Sequence, residues 1–532
     1  MQGAWGTRVR RGLGSLLLVM FTVALVQGQA GSPIVAAAKA GDRAEVRRLI
    51  AARANVNAQG PDGSTALLWA AYNGDAEMVR ALLAAGAKVD SVSRYNVTPL
   101  LQAARTGETP VIEALLAAGA DANLTPDGVE SPLMAAARTG KVDAIRVLLT
   151  KGAQINAVDG EQSESALMWA AAEGHIEAVN ALMEAGANPN LRAKLTGMDR
   201  RHADHPTGGF TALMWAARNG HADVVKTLAQ KGAELNATNG DNLTAMNIAI
   251  INDRFDMAKA LLDLGADPND NSLYFAVDMH DGTTDMRARD GGLLRWDFQN
   301  QLSSLDLVRL LLDKGADPNK AFQGAYHSTS MGTGENHNGT PFFRAAAASD
   351  VEALKILASR GGKIDYILPA AAGGRGGGNV GRTALMAAAA GGRGYAFGGG
   401  PGFGRVGPPP FREPGSRKPA DAVQVLIDAG ADVNAQGIDD GDTVLHQATR
   451  RNDVDVMRTL LKAGANADVY NWVGERPIEI AEDLYETSKN PNAPPDAATL
   501  AAMQAGGALP EKRDPKITLN IIREAMGFPV IP

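Results

Sequence analysis

Histidine and carboxylate side chains are close enough in one segment of this sequence to suggest metal chemistry. Asp199, His202, Asp204 and His205 lie within seven residues, and Zn²⁺ accepts imidazole and carboxylate ligands. One hypothesis is therefore a metal-binding or enzymatic protein with His202, His205 and Asp204 as ligands. Histidines of an exposed loop that bind nothing fit the same spacing, and we favour this interpretation. We expect no metal, no cofactor and no catalytic residue.

Aromatic and basic side chains recur in two regularly spaced sets. The aromatic set is Trp69, Trp169 and Trp215. The second set follows pairs of small residues and consists of Lys39, Tyr72, Arg105, Arg138, Arg218 and Arg450. Tryptophan and arginine are common anchors in protein interfaces. Ordinary packing of the tryptophans, and the attraction of cations to helix C-termini, explain the same residues without a partner.

Both sets belong to a repeated element. Gly86, Gly119 and Gly152 are 33 residues apart, and a period in the low thirties is typical of stacked repeats. Each repeat predicts a short first helix that begins at a capping residue such as Thr65, then a turn and a second helix that ends at the glycine. Four residues later stands Asn or Asp, as at Asn123, and we expect such a side chain to hydrogen-bond to turn backbone.

The order of helix, turn, helix, glycine and predicted hairpin, with a T-P-L-H-x-A-A type signature, resembles the ankyrin repeat. The copies begin at Thr65, Thr98, Ser131, Ser165, Thr211, Thr244, Thr340, Thr383 and Thr443, with weaker ones near Ser32, Ser272 and Arg476. The resemblance implies an all-α solenoid of about eleven to twelve helix-turn-helix repeats with β-hairpin finger loops. It also implies that the set containing Arg105 faces a concave groove and forms a basic and aromatic ladder there.

The repeats divide the chain into three parts. We expect a signal peptide at 1–30, a solenoid at 31–484 and a C-terminal connector with a capping helix at 485–532. Insertions interrupt the solenoid near 191–208, 280–300, 320–338, 366–382 and 391–419. Five of the eight histidines lie in these insertions: His202, His205, His280, His327 and His337. The polar residues Arg344 and Gln447, at the position that Trp69 occupies in its repeat, predict that this position is open to solvent.

The N-terminus and the composition limit the location and the partners. Basic residues precede an apolar stretch from Leu13 to Val26 that is too short to span a bilayer. We therefore expect export to the periplasm or the medium, by the general or the twin-arginine route, without a stable membrane anchor. The net charge of −7 and the absence of cysteine give no reason to expect nucleic acid or disulfides. The sequence predicts a monomeric, non-enzymatic scaffold whose protein partner carries an acidic surface strip.

Overall fold

The computed structural model describes residues 32–126, 128, 130–195, 208–280, 300–322, 339–369, 381–390, 418–489 and 514–532. The chain divides into two compact units, an N-terminal unit, Met1–Lys194, and a C-terminal unit, Leu195–Pro532. The described residues of both units form helices that are connected by turns and loops. They contain 24 helices, which form twelve pairs of helices consecutive in the chain, and each pair is called a repeat below.

The N-terminal unit contains repeats 1 to 5. Their helices are α1 (Pro33–Lys39) and α2 (Arg43–Ala51), α3 (Ala66–Tyr72) and α4 (Ala76–Ala84), α5 (Pro99–Thr106) and α6 (Thr109–Ala117), α7 (Pro132–Arg138) and α8 (Val142–Thr150), and α9 (Ala166–Ala172) and α10 (Ile176–Glu184). Each first helix packs on the second helix of its own repeat and on the first helices of its neighbours.

The C-terminal unit contains repeats 6 to 12. Their helices are α11 (Ala212–Asn219) and α12 (Ala222–Gln230), α13 (Ala245–Ile251) and α14 (Phe255–Asp263), α15 (Ser272–His280) and α16 (Ser304–Asp313), α17 (Pro341–Ala347) and α18 (Val351–Ser359), α19 (Ala384–Ala390) and α20 (Pro419–Asp428), α21 (Val444–Arg450) and α22 (Val454–Lys462), and α23 (Pro477–Ser488) and α24 (Pro515–Ala525). Helix α24 packs on both α23 and α22.

Local sequence signals set the ends of these helices. The hydroxyl oxygens of Thr65 and Thr98 accept hydrogen bonds from backbone N–H groups three residues later, at 3.2 and 3.1 Å, which satisfies a donor that the first turn leaves open. Second helices end at a left-handed residue, as at Gly86 with φ of 87°. A side chain there would meet nothing within 4 Å, so backbone conformation alone favours glycine. The predicted caps are confirmed.

Small residues in the first helices make the tight core of each unit. In repeats 2 and 3, Ala70, Ala71, Ala103 and Ala104 have no exposed surface. Because alanine side chains are short, neighbouring first helices can approach closely. One face of each second helix covers this layer, as α4 does with its buried Met78, Val79 and Leu82. The core therefore follows the repeat pattern that the sequence predicts.

The finger loops before the first helices contain less sheet than expected. Within the described residues they form isolated antiparallel bridges, such as Gln59↔Thr65 and Gln436↔Thr443, and no continuous strand. Consecutive fingers are joined at their tips, where the backbone N–H of Arg94 donates to the carbonyl of Asp62 at 3.0 Å. Each finger is therefore held partly by the finger before it.

Several predicted segments lie outside the described residues. These are the signal peptide at 1–30 and most of each insertion, at 196–207, 281–299, 323–338, 370–380 and 391–417, together with the connector at 490–513. In the parts of the chain that the structure describes, no helix is both long and apolar enough to cross a membrane.

Candidate partner-binding face

The three tryptophans of the predicted site occupy equivalent positions, one turn into the first helices α3, α9 and α11. All three side chains are half-buried. The indole N–H of Trp69 donates to the hydroxyl oxygen of Ser64 at 2.8 Å, and the ring of Trp215 packs on Phe210 with centroids 4.9 Å apart. The indoles of Trp69 and Trp215 are thus held by neighbouring side chains while remaining partly exposed.

The basic set covers the tryptophans. Lys39 Nζ lies 4.7 Å from the centroid of Trp69, and the guanidinium of Arg138 lies 5.8 Å from that of Trp169. Both contacts join one repeat to the next, and each is worth about 0.5–1 kcal/mol at an exposed site. Arg218 lies over Trp215 of its own helix, at 5.6 Å. The sequence analysis treated the two sets separately, although their offset of about one repeat could have revealed the contact.

Two arginines of the ladder share one carboxylate. Glu130, in the finger before α7, accepts a hydrogen bond from Arg105 Nε at 2.9 Å and one from Arg138 Nε at 3.0 Å. Both guanidinium groups remain partly exposed, while Glu130 is mostly buried. The ladder therefore contains its own counter-ion and is less positive than the sequence suggests. Sequence reasoning missed Glu130 because it lies in a finger and outside the repeated position.

Arg450 is held in the same way in the C-terminal unit. Its guanidinium lies 3.3 Å from Asp442 and 2.8 Å from Glu475. Burial disfavours the charged form, but the bonds to the two carboxylates outweigh it and raise the pKa of Arg450. The bond from Arg450 in turn lowers the pKa of Glu475. Arg450 is therefore part of an ion-pair network that joins the fingers of repeats 11 and 12.

Tyr72 is the most open aromatic residue of the predicted set. Its side chain is 56% exposed, and its ring meets Trp69 edge-on with centroids 5.5 Å apart. With the Lys39 ammonium over Trp69, these three residues form one contiguous group in the N-terminal unit, which we call the aromatic cluster. It combines an exposed ring, a half-buried indole and an exposed cation.

The prediction that polar residues mark an open position is wrong for repeats 9 and 11. Arg344 and Gln447 occupy the position equivalent to Trp69, and each is only 5% exposed. Arg344 Nε donates to Asp278 Oδ1 of the preceding repeat at 2.6 Å, and Asp278 is also buried. At this junction a buried ion pair takes the place of the cation–aromatic contact that Trp69 makes with the preceding repeat.

The candidate metal ligands are not brought together in the described residues. His202, Asp204 and His205 lie in 196–207, outside the described part. His280, expected in an insertion, is instead the last residue of α15 and is fully buried, with Nδ1 2.5 Å from Asp350 Oδ2. Among the residues that the structure describes, no group of three or more His, Cys, Asp or Glu side chains could hold a metal ion.

Comparisons with known proteins match the repeat architecture. A family model described as ankyrin repeats (3 copies) matches residues 34–126, 124–193 and 195–272, and a model described as ankyrin repeats (many copies) matches residues 417–461. The human ASB11 ankyrin repeat domain, a solved structure, is 27% identical, with 44% of this chain and 97% of that chain covered and a TM-score of 0.38.

Curated relatives match over shorter stretches. The E3 ubiquitin-protein ligase KEG of Arabidopsis thaliana is 37% identical over 71 residues, which are 13% of this chain and 4% of that protein. Ankyrin repeat domain-containing protein 40 of Homo sapiens is 41% identical over 58 residues, which are 11% of this chain and 16% of that protein. The chain thus covers far less than two thirds of either relative. The similarity lies in the repeats, and with family models matching in both units, this chain belongs to the ankyrin repeat family.

Proposed function

We propose that this protein is a monomeric, non-enzymatic scaffold that binds a protein partner through the concave face of its repeats. Ankyrin repeats generally mediate protein–protein interaction. The aromatic cluster of Lys39, Trp69 and Tyr72 carries the proposal, because an exposed ring beside a half-buried indole is the kind of anchor on which interfaces depend. Arg105 and Arg138, in the same unit, add further candidate contacts.

The two arginines that share Glu130 favour a partner with an acidic strip. Arg105 and Arg138 remain partly exposed beside it, so each guanidinium still has donors for a partner's carboxylate. A carboxylate of the partner can bind these guanidinium groups alongside Glu130, or it can displace Glu130 from them. Binding should therefore weaken as salt rises, since partly exposed charges are screened.

The experiment compares capture of proteins from an envelope extract by the immobilised full chain and by two variants, at low and high salt. Arg105→Ala/Arg138→Ala/Arg218→Ala removes three ladder charges and should lower capture of the specific partner at least tenfold. Glu130→Gln leaves both neighbouring arginines in place without their shared anion, and it should raise capture at low salt. Mass spectrometry identifies the captured proteins.

The matched control removes the same charge from exposed positions on second helices. Arg80→Ala/Lys226→Ala/Arg458→Ala alters α4, α12 and α22, where these side chains are exposed, and it should leave capture unchanged. Equal losses in both triple variants would show that only overall charge matters. Unchanged capture in the ladder variant would refute the charged-groove proposal.

We also propose that the protein is exported to the periplasm or the medium. The support is the sequence of residues 1–30, where a basic segment precedes an apolar stretch and small residues precede Ala30. N-terminal sequencing of the protein from fractionated cells should give a mature chain that starts at Gly31. Full-length protein in the cytoplasmic fraction would refute export without affecting the groove proposal.

A further inference from the structure

A second exposed surface lies on the finger loops before α21 and α23. Ile438, Tyr470, Trp472 and Val473 are all exposed there, with Trp472 at 62% and Val473 at 76%. We call these four residues the finger patch. Large apolar side chains that gather on one exposed surface are typical of docking sites.

Gly441 holds the indole of Trp472 in place. A side chain at Gly441 would collide with three atoms of the five-membered ring of the Trp472 indole, so the ring lies directly on the glycine backbone. Gly441 also has φ of 68°, a conformation that favours glycine. The backbone N–H of Trp472 donates to the carbonyl of Asp440 at 3.1 Å. One side of the ring is therefore fixed, and the exposure of Trp472 comes from the other side.

The finger fold itself does not require tryptophan at this position. The equivalent residue in repeat 3 is Arg94, whose backbone N–H donates to the carbonyl of Asp62 at 3.0 Å. Arg94 packs on Gly63 in the way that Trp472 packs on Gly441. Because the same backbone accepts a polar side chain, the packing of the repeat does not explain an exposed indole.

Carboxylates surround the finger patch. Residues 434–443 contain three aspartates and no lysine or arginine. Asp440 pairs with Arg382 at 3.2 Å, and Asp439 is exposed. The next finger adds Asp468 and Glu475. Arg450 pairs with both Asp442 and Glu475, and Arg476 pairs with Asp468. The five carboxylates of the two fingers are thus matched by three cations. An aromatic surface with an excess of negative charge is complementary to a cation.

We propose that the finger patch binds an extended, arginine-bearing segment of a partner protein. Guanidinium groups of the segment stack on the outer face of Trp472 and pair with Asp439, which lies beside Gly381 of the preceding finger, while apolar parts of the segment contact Ile438 and Val473. A planar guanidinium can stack on an aromatic ring and bond to a carboxylate together. The same chemistry is already present within the patch, where Arg476 lies 5.1 Å from the ring centroid of Tyr470.

The finger patch should bind a cationic segment, whereas the ladder containing Arg105 should bind an acidic one. The two proposals can therefore be tested independently. The test uses the full chain and a fluorescein-labelled peptide of alternating arginine and proline, with binding followed by fluorescence anisotropy. A second peptide with glutamine in place of arginine tests the need for the cation. The wild-type chain should bind the first peptide and not the second.

Trp472→Arg gives this finger the residue that repeat 3 carries in Arg94, so we expect the variant to fold. It should weaken binding about tenfold or more, because it removes the stacking surface and adds a repelling charge. Asp439→Asn changes one exposed side chain and should weaken binding about threefold. Tyr95→Ala, which removes an exposed ring from another finger, should leave affinity unchanged.

Several results would overturn the proposal. They are no binding of the arginine peptide by the wild-type chain, equal binding of the glutamine peptide, or an affinity that Trp472→Arg and Asp439→Asn both leave unchanged. A loss in Tyr95→Ala as large as that in Trp472→Arg would also overturn it. Circular dichroism checks that each variant is folded. If Trp472→Arg is not, Asp439→Asn and the two peptides still decide the question.

Discussion

The side-chain amide of Asn123 donates a hydrogen bond to the carbonyl of Gly152 in the next repeat, at 3.1 Å. Its oxygen accepts one from the backbone N–H of Gln154, at 2.8 Å. Other repeats use the same bridge, through Asn57, Asn269, Asn319 and Asn434. The sequence predicted that these side chains bond to turn backbone. In the structure the turn is the one that ends the second helix of the following repeat.

Asn123→Ala should therefore destabilise the N-terminal unit by about 1 kcal/mol, since it removes two exposed hydrogen bonds of modest net value. Urea unfolding of the full chain, followed by circular dichroism, measures the change. Gln154→Ala is the control, because that residue takes part in the bridge only through its backbone N–H. Equal stability of the Asn123 variant and the control would contradict the bridge as a source of stability.

Asp90 occupies the same position but has no amide group to donate. Its carboxylate accepts from the backbone N–H of Asp121 at 3.3 Å, and it cannot donate to the carbonyl of Gly119. Asp90→Asn should complete the bridge and stabilise the N-terminal unit by about 0.5–1 kcal/mol at neutral pH. The same urea titration measures the gain, and a less stable variant would contradict the prediction.

The gain should also depend on pH. Burial raises the pKa of the Asp90 carboxyl, and the charge of Asp121 adds to the effect. A raised pKa in the folded state means that Asp90 favours folding most below its unfolded value of about 3.9, and that this contribution is lost as pH rises through the folded pKa. Asparagine has no such dependence, so the advantage of Asp90→Asn should shrink as pH falls toward 4.

The buried ion pair between Asp278 and Arg344 should be costly to break from one side. Arg344→Met should destabilise the C-terminal unit by about 3 kcal/mol or more, because it leaves the buried carboxyl of Asp278 without this cation. The double variant Asp278→Leu/Arg344→Met should recover most of the loss. Thermal and urea unfolding of the wild type and the two variants test this. A double variant less stable than Arg344→Met would contradict it.

Gly441→Ala should destabilise the fingers of repeats 11 and 12 by about 1–2 kcal/mol and move the indole of Trp472. The expected loss combines strain at a positive φ with the collision of the new methyl group with the ring. Gly474→Ala separates the two causes, because Gly474 also has positive φ but has nothing within 4 Å. Tryptophan fluorescence and urea unfolding should show a larger change in Gly441→Ala than in Gly474→Ala.

Sequence reasoning succeeded where the determinant is local. The cap at Thr65, the left-handed glycine at Gly86 and the alanine pair at Ala70 and Ala71 each act within a few residues, and the structure places them as expected. A fixed period then extends these local assignments over the whole array. This is why the fold class could be predicted from the sequence.

Sequence reasoning failed where a feature depends on contacts between residues that are far apart in the sequence. Asp278 and Arg344 are 66 positions apart, and an insertion between them hides that they belong to neighbouring repeats. Glu130 neutralises part of the ladder from a finger position that varies between repeats. The aromatic residues of the predicted site were found because they recur, whereas Trp472 was not selected because it occurs in one finger.

The asparagine bridges have a direction. The side-chain amides of Asn57, Asn123 and Asn434 each bind backbone of the repeat that comes later in the chain. The backbone groups at the end of a second helix are therefore bound by a side chain that precedes that helix in the sequence. The ribosome makes the chain in the same order. Each nascent repeat in either unit can therefore complete its second helix against side chains that have already been synthesised, without waiting for downstream residues.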